Sequence, residues 1–260
     1  TQRECASCHI GYGWVDAAFD FANPAGIDCL VCHDTTGTYR KGPGKGGLPD
    51  PSLDLAAIAK QVGRPSRRSC GSCHLAGAGA PSARHGDPDP ALVEPAADLD
   101  VHLGGLKMRC QDCNTTADHR IAGMSMRAAA EGRVRCEQCH GRAPHGVAGA
   151  LSRHLDDHVR AVACETCHIP SIAKASPALV RRDYSQAGQN RPRRLDQHGM
   201  PQYDKRLGAL TWGKRLSPTY LWHDGTRNIP AAGEQIDPSA PVLLNAPIGE
   251  RRDPAARIAP

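Results

Sequence analysis

The segment ECASCHIGYGWVDAAFDFANPAGIDCLVCHDTTGTYRK, residues 4–41, contains two copies of a pattern in which two cysteines, separated by two residues, precede a histidine. The same cysteine spacing accounts for all twelve cysteines of the 260-residue chain. A histidine follows five of the six pairs, and Asn114 follows the other. The pairs are Cys5 and Cys8, Cys29 and Cys32, Cys70 and Cys73, Cys110 and Cys113, Cys136 and Cys139, and Cys164 and Cys167; the histidines are His9, His33, His74, His140 and His168.

Paired cysteines by themselves are compatible with zinc ribbons, a disulfide framework or redox-active dithiols. The histidine after each pair favours another chemistry, because c-type haem attachment requires it and the alternatives do not. The two thiols form thioethers with the porphyrin, and the imidazole becomes one axial ligand of the iron. We therefore predict five to six covalently bound haem c groups. Asparagine is a poor iron ligand, so the pattern leaves open whether Cys110 and Cys113 hold the sixth.

The composition predicts a fold whose interior is filled by cofactors. Aromatic residues make up only 4% of the chain, which also contains 27 glycines and 21 prolines. Frequent Gly and Pro favour short helices joined by loops, and a flat apolar macrocycle buries surface that large side chains would otherwise bury. We expect a mainly α fold with extensive irregular loops and the haems as its core. One helix is expected over 50–62, capped by Asp50, and another is expected to end near Asn23, before Pro24.

The distribution of motifs predicts two regions. Residues 1–170 contain all six sites, and residues 171–260 form a haem-free tail, rich in Arg and Pro, that we expect to wrap the core. No apolar run is long enough to cross a bilayer. The chain opens at Thr1, close to its first cysteine, which favours a processed or trimmed start. Haem c is attached outside the reducing cytosol, so a periplasmic or extracellular location is expected.

Eight further histidines are candidates for the second axial ligand of the irons. Six of them lie between haem motifs, where a loop can fold back over a neighbouring iron, and two in the tail, His198 and His223, lie beyond the last motif. His154 is four residues from His158, so the two share a helical face and either could ligate. The predicted distal ligands are His85, His102, His119, His145 and His158.

A haem that performs chemistry needs an open or weakly held distal position, for which lysine is an alternative ligand. Lys41 and Lys45 lie in the glycine-rich segment YRKGPGKGG, and Lys60 and Lys107 also lie near motifs. A lysine in such a loop is most often simply solvated. Lys41 is the candidate catalytic residue.

The formal charge of +5 does not predict a nucleic-acid partner. Each haem adds two propionate carboxylates, so six haems would bring the net charge to roughly −7. No nucleic-acid-binding motif is present, and such binding is not expected. The expected partners are redox proteins, such as a quinol-linked or small cytochrome electron donor, a small anionic substrate, and other copies of the chain in an oligomer or polymer.

Several segments resemble the octahaem tetrathionate reductase family of multihaem cytochromes, and DCLVCHDTTGTY is the most specific of them. The others are ECASCHIGYGWVDAAFDF (4–21), CGSCH (70–74), RHGD (84–87), LDVH (99–102), CQDCNTTADHRIAG (110–123), CEQCH (136–140), ACETCHIP (163–170) and TWGKRLSP (211–218). The resemblance implies bis-histidine relay haems, with the five distal candidates in positions like the family's. It also implies one catalytic haem with a lysine ligand, at which tetrathionate, nitrite or hydroxylamine is reduced.

The chain departs from that family in two respects. It shows six motifs where the family has eight, so two upstream sites are absent from the sequence, and Asn114 stands where the family has histidine. The function expected from the sequence is that of a periplasmic haem-dependent reductase or a segment of one. The alternatives are an electron-transfer conduit without a catalytic site, and a redox module of a membrane-linked complex.

Overall fold

The computed structural model describes residues 9–42, 47–75, 88–122, 134–146, 149–228, 233–239 and 246–260. Cys5, Cys8, Lys45 and His85 lie outside these ranges. The described helices are short: α1 (Leu30–His33), α2 (Leu55–Ala59), α3 (Arg67–His74), α4 (Cys110–Cys113), α5 (Cys136–His140), α6 (Ala150–His158) and α7 (Cys164–His168). Single 3-10 turns cover Pro24–Gly26, Pro90–Val93 and Tyr184–Gln186, and a π-helical turn covers Val101–Gly105. Among the helices in these ranges, none has the length and apolar character needed to cross a membrane.

The structure differs from the two helices predicted from the sequence, one over 50–62 and one ending near Asn23. Asp54 caps α2 by accepting a hydrogen bond from the Ala57 amide at 2.9 Å, so the helix begins at Leu55. Asp50 instead accepts from the Ser52 amide and hydroxyl, and this local bonding competes with the helix. The helix expected before Pro24 is absent from the described residues. Asn23 caps the 3-10 turn that follows it, accepting from the Ala25 amide.

Small antiparallel sheets accompany the helices, so the described fold is mixed and the expectation of a mainly α chain was too strong. A three-stranded sheet has the order β3-β5-β4, and three pairs join β1 to β2, β6 to β9 and β7 to β8. The strands are β1 (Thr116–Ala117), β2 (Arg120–Ile121), β3 (Ala178–Asp183), β4 (Tyr203–Asp204), β5 (Gly208–Gly213), β6 (Leu221–His223), β7 (Arg227–Asn228), β8 (Ala246–Pro247) and β9 (Arg257–Ala259).

The three-stranded sheet carries a small apolar cluster. Leu179 on β3 faces Trp212 on β5 in the strand register, and Leu210 completes the buried group. Met200 and Leu207 pack against it. The indole nitrogen of Trp212 donates to the Pro201 carbonyl at 2.8 Å, so its polar atom is satisfied.

The chain forms two compact units, each made from two separate stretches. The first contains residues 1–110 and 173–215, and the second contains residues 111–172 and 216–260. The tail after residue 170 therefore contributes to both. In the second unit, Ile258 on β9 forms backbone hydrogen bonds with Ala161 and Ala163, next to α7. The hydroxyl of Thr166 on α7 donates to the Ile258 carbonyl at 2.7 Å.

Candidate haem sites

Each described cysteine pair lies on or at the edge of a short helical turn. Helices α1, α3, α4, α5 and α7 carry these pairs. In a helix, residues three apart lie on the same side, so both thiols face one direction and the histidine follows on the next position. A turn of this kind presents the two sulfurs to one edge of a porphyrin and the imidazole to its iron. Asn114 lies just beyond α4, and its carbonyl accepts from the Thr116 hydroxyl at 3.4 Å.

The alternative chemistries of the cysteines find no support in the described ranges. The ten cysteines there form no disulfide. Within the same residues, no group of three or more His, Cys, Asp or Glu side chains converges as a protein zinc site would require.

Several of the thiols lie at the surface of the polypeptide. Cys29, Cys136, Cys139 and Cys167 are exposed, and the other described cysteines are half-buried. On α5 both members of the pair are exposed, so a macrocycle could approach Cys136 and Cys139 without displacing side chains that cover them. Attachment of haem at Cys139, as at the other cysteines, stays a prediction.

Within each unit, neighbouring motifs lie close enough for their thiols to interact. Burial, together with the nearby Cys110 thiol, raises the pKa of Cys70 to about 11. Although the Cys136 residue is exposed overall, partial burial of its sulfur raises its pKa to about 11, and Glu165 and the Cys164 thiol add to the effect. Burial and the neighbouring Cys73 raise the pKa of Cys32. The predicted attachment points therefore fall into a group of three, formed by the Cys29 motif, the Cys70 motif and Cys110, and a pair, formed by the Cys136 and Cys164 motifs.

The imidazoles of His145 and His168 lie almost parallel, at an interplanar angle of 15°, with ring centroids 6.2 Å apart. Two metal–imidazole bonds of about 2 Å, with about 1 Å from each nitrogen to its ring centre, span about 6 Å. His145 and His168 are therefore the two residues that would hold the iron of the last motif, each supplying an imidazole nitrogen. The structure brings the predicted distal residue His145 to the proximal histidine of the last motif.

A carboxylate holds the ring of His145. Its Nδ1 lies 2.9 Å from Oδ1 of Asp156, and the same oxygen accepts from the His145 backbone amide at 3.1 Å. Both side chains are largely buried, 27% and 19% exposed. The bond at Nδ1 leaves Nε2 available to a metal. Sequence reasoning did not single out Asp156, although its position on a histidine-rich helix was a usable signal.

The other histidines occupy varied positions. His102 lies on the π-helical turn capped by Asp100, and His119 lies in the turn between β1 and β2. The rings of His154 and His158 on α6 are in edge contact at 4.4 Å. Nε2 of His198 lies 3.3 Å from the side-chain nitrogen Nε2 of Gln197, and Nδ1 of His223 lies 3.3 Å from the Ile248 carbonyl oxygen. For these residues the distal role stays a prediction.

Lys41 is buried and not solvated. Its side chain is 4% exposed, and its ammonium donates to the carbonyl oxygens of His9 and of Gly11, the latter at 3.0 Å. Asp28 Oδ2 lies 3.8 Å from the same nitrogen and accepts from the Tyr39 hydroxyl. Burial and this bond raise the pKa of Tyr39 far above its ordinary value. The lysine thus lies against the backbone of a proximal histidine, and Asp28 and Tyr39 are partners that the sequence did not reveal.

Aromatic side chains surround the same region. The ring of Trp14 is in edge contact with His9, at a centroid distance of 5.2 Å. Phe19 and Phe21 pack on Trp14 and on each other, at centroid distances of 5.0–6.3 Å. Much of the chain's small aromatic content is therefore concentrated beside the first motif.

The described residues leave several large apolar side chains exposed. Of the described side chains, none of the large ones is fully buried, and Phe21, Leu106 and Ile121 are about 70% exposed. Haem c would cover such exposed apolar side chains, because its flat apolar macrocycle would bury their surface.

Comparisons with known proteins agree with this chemistry. A family model described as bacterial cytochrome c matches residues 180–260. The crystal structure of an octahaem cytochrome c from Shewanella oneidensis is 42% identical, with a TM-score of 0.87, over 99% of this chain and 57% of that one. The chain therefore spans a little over half the length of this relative. A search of curated proteins finds no match. The resemblance to octahaem cytochromes predicted from the motifs is confirmed.

Proposed function

Because the chain is a multihaem c-type cytochrome related to the octahaem cytochrome c of Shewanella oneidensis, we propose that it relays electrons between closely packed haems to one reactive iron, where a small anion is reduced. The haems would be held by the six cysteine pairs, five to six per chain. The reduction would be of the tetrathionate, nitrite or hydroxylamine type, as the sequence resemblance implies.

The relay is supported by the convergence of the attachment points. The thiols of Cys70 and Cys110 interact, as do those of Cys136 and Cys164. Macrocycles attached at neighbouring sulfurs must lie near one another. The parallel rings of His145 and His168 support a six-coordinate iron at the last motif, which changes little in geometry on reduction and suits electron transfer.

The reactive iron is assigned to the first motif, on the single observation that Lys41 is buried beside His9. The lysine amine contacts the His9 carbonyl, so it lies within reach of a haem whose iron is bound by that histidine. In these contacts Lys41 is an ammonium and has no lone pair for iron. After losing one proton and leaving the carbonyls, it would be a neutral amine, a weaker and more easily displaced ligand than a second imidazole. Reduced haem at this motif would supply electrons to a bound substrate; for tetrathionate, two electrons cleave the central S–S bond and yield two thiosulfate anions.

The remaining features of the proposal follow from haem chemistry. Attachment of haem c takes place outside the reducing cytosol, which favours a periplasmic or extracellular location. Electrons would come from a redox partner, such as a quinol-linked or small cytochrome. A nucleic-acid partner is not proposed.

The proposal is tested with purified holoprotein reduced by a viologen dye, and with each of the three substrates in turn. We expect turnover with at least one of them. We expect Lys41→Ala to lower kcat by at least tenfold. Lys60→Ala is the matched control, since Lys60 also lies near a motif but is exposed. It should leave kcat unchanged.

The pyridine haemochrome gives the haem content, and electron paramagnetic resonance gives the spin state of each iron. A content near six would place a haem at Cys110 and Cys113, and a content near five would leave that pair without one. If every iron proves low-spin and bis-histidine, and no substrate turns over, the reductase assignment is wrong and the chain is an electron conduit.

A further inference from the structure

We propose that Asp156 is a positioning residue that fixes the tautomer of His145 and lowers the reduction potential of the haem bound at Cys164, Cys167 and His168. This inference rests on the part of the proposed function that makes His145 the second ligand of that iron. It concerns a side chain outside the cysteine–histidine motifs and outside the candidate ligands.

The hydrogen bond determines which nitrogen of His145 can bind metal. A carboxylate only accepts hydrogen bonds, so the 2.9 Å contact between Asp156 Oδ1 and His145 Nδ1 requires a proton on Nδ1. The lone pair is then on Nε2, the nitrogen on the far side of the ring. Metal-binding histidines commonly have such a partner on their second nitrogen, and it sets the ring orientation and raises the basicity of the ligand.

The carboxylate is itself held in place. Asp156 Oδ1 also accepts the backbone amide of His145 at 3.1 Å, so one oxygen binds both the ring and the main chain of the same residue. Asp156 lies on α6 and is 19% exposed. This two-point contact fixes the ring relative to the backbone, and the ring remains nearly parallel to that of His168.

Another histidine in the chain has a neutral partner in the corresponding place. Nδ1 of His33, the proximal residue of the second motif, lies 2.8 Å from the Gly63 carbonyl. A carboxylate withdraws the Nδ1 proton more strongly than a carbonyl does, which makes the imidazole a stronger electron donor and favours ferric iron. The haem at His168 should therefore have a lower potential than its ligand types alone would predict.

The test is a potentiometric titration of the holoprotein, followed by electron paramagnetic resonance, for the variants Asp156→Asn and Asp157→Asn. Asp157 is the matched control, because it is the next residue on α6 and is paired with Arg160, but is 65% exposed. Both variants remove one negative charge. We expect Asp156→Asn to favour reduction of one haem by about tenfold, about 59 mV for a one-electron couple, and to alter the low-spin signal of that haem. Asp157→Asn should do neither.

Equal shifts in the two variants, or no shift in either, would overturn the role of Asp156. Haem content is measured on each variant. Asp156→Glu retains a carboxylate, so its haem potential is expected to shift by less than half of the shift caused by Asp156→Asn. His145→Ala separates this proposal from its premise. One iron should become high-spin; if all remain low-spin, His145 is not a ligand and the proposal for Asp156 fails with it, while turnover of substrate still tests the reductase assignment.

Discussion

The ammonium of Lys41 lies 3.8 Å from Oδ2 of Asp28, and the two side chains are 4% and 3% exposed. A buried pair of opposite charges depends on both partners, because removal of one leaves the other without compensation in a medium of low dielectric constant. The carbonyl oxygens of His9 and Gly11 also accept from the ammonium, and Asp28 accepts from the Tyr39 hydroxyl and the Leu30 amide.

Asp28→Asn is therefore expected to destabilise the holoprotein by about 3–5 kcal/mol, measured by chemical denaturation followed through haem absorbance. The matched control is Asp50→Asn, whose ion pair with Arg40 is 3.0 Å long but whose arginine is 57% exposed. That variant should change stability little, because solvent screens an exposed ion pair. Similar losses in the two variants would contradict the buried pair.

The contact between Arg257 and Glu137, 2.7 Å long, joins β9 to the helix of the Cys136 motif. Arg257→Met should lower stability by about 1 kcal/mol at neutral pH. The hydrogen bond from Arg257 lowers the pKa of Glu137 below its ordinary 4.5. The stabilisation is therefore complete above pH 4.5, the ordinary pKa of the glutamate. It is lost as the pH falls through the lower pKa that Glu137 has in the folded protein.

The difference in stability between the natural chain and Arg257→Met should consequently shrink in acid, in denaturation experiments run from neutral pH downward. Arg160→Met, which removes an ion pair that is 82% and 65% exposed, is the control and should show little effect at any pH. A difference that stays constant in acid would argue against Glu137 as the partner.

Gly208 lies at the start of β5 with φ +79°, and a Cβ there would meet the Asp183 carbonyl oxygen at 1.9 Å. Gly208→Ala should cost at least about 2 kcal/mol, because strain in the left-handed region adds to a backbone clash. Gly188 has φ +84° and open space around it. Gly188→Ala should cost only about 1 kcal/mol, and equal losses in thermal unfolding would show that the close approach is unimportant.

Haem-free chain should not fold cooperatively. The described buried hydrophobic residues are few, namely Ile58, Ala178, Leu179, Leu210, Trp212 and Ala256, and they cannot offset the conformational entropy of the chain. Protein produced without haem attachment should show little near-ultraviolet circular dichroism and a gradual thermal transition. A sharp transition would mean that the polypeptide alone supplies a sufficient core.

Local chemistry was readable from the sequence wherever spacing along the chain sets the geometry. The Cys-x-x-Cys-His pattern predicted the haem chemistry and the resemblance to octahaem cytochromes, because its residues are close together in the chain. It did not predict that the described motifs lie on short helical turns. The helix over 50–62 was only partly predicted, since Asp54 and not Asp50 provides the cap, and both carboxylates are good capping groups. Most strands of the tail were missed because they span only two or three residues. The two strands of six residues, β3 and β5, show no strict alternation of apolar and polar side chains.

The sequence by itself indicated the cofactor class and predicted the attachment residues and the resemblance to octahaem cytochromes, because the motif for covalent attachment joins residues a few positions apart. Only the tertiary structure decided that His145 meets His168, that Asp156 binds His145, and that Asp28 and Tyr39 bury Lys41 beside His9. These contacts join residues 11–32 positions apart in the chain. Their formation depends on the path of loops, which local propensities do not specify.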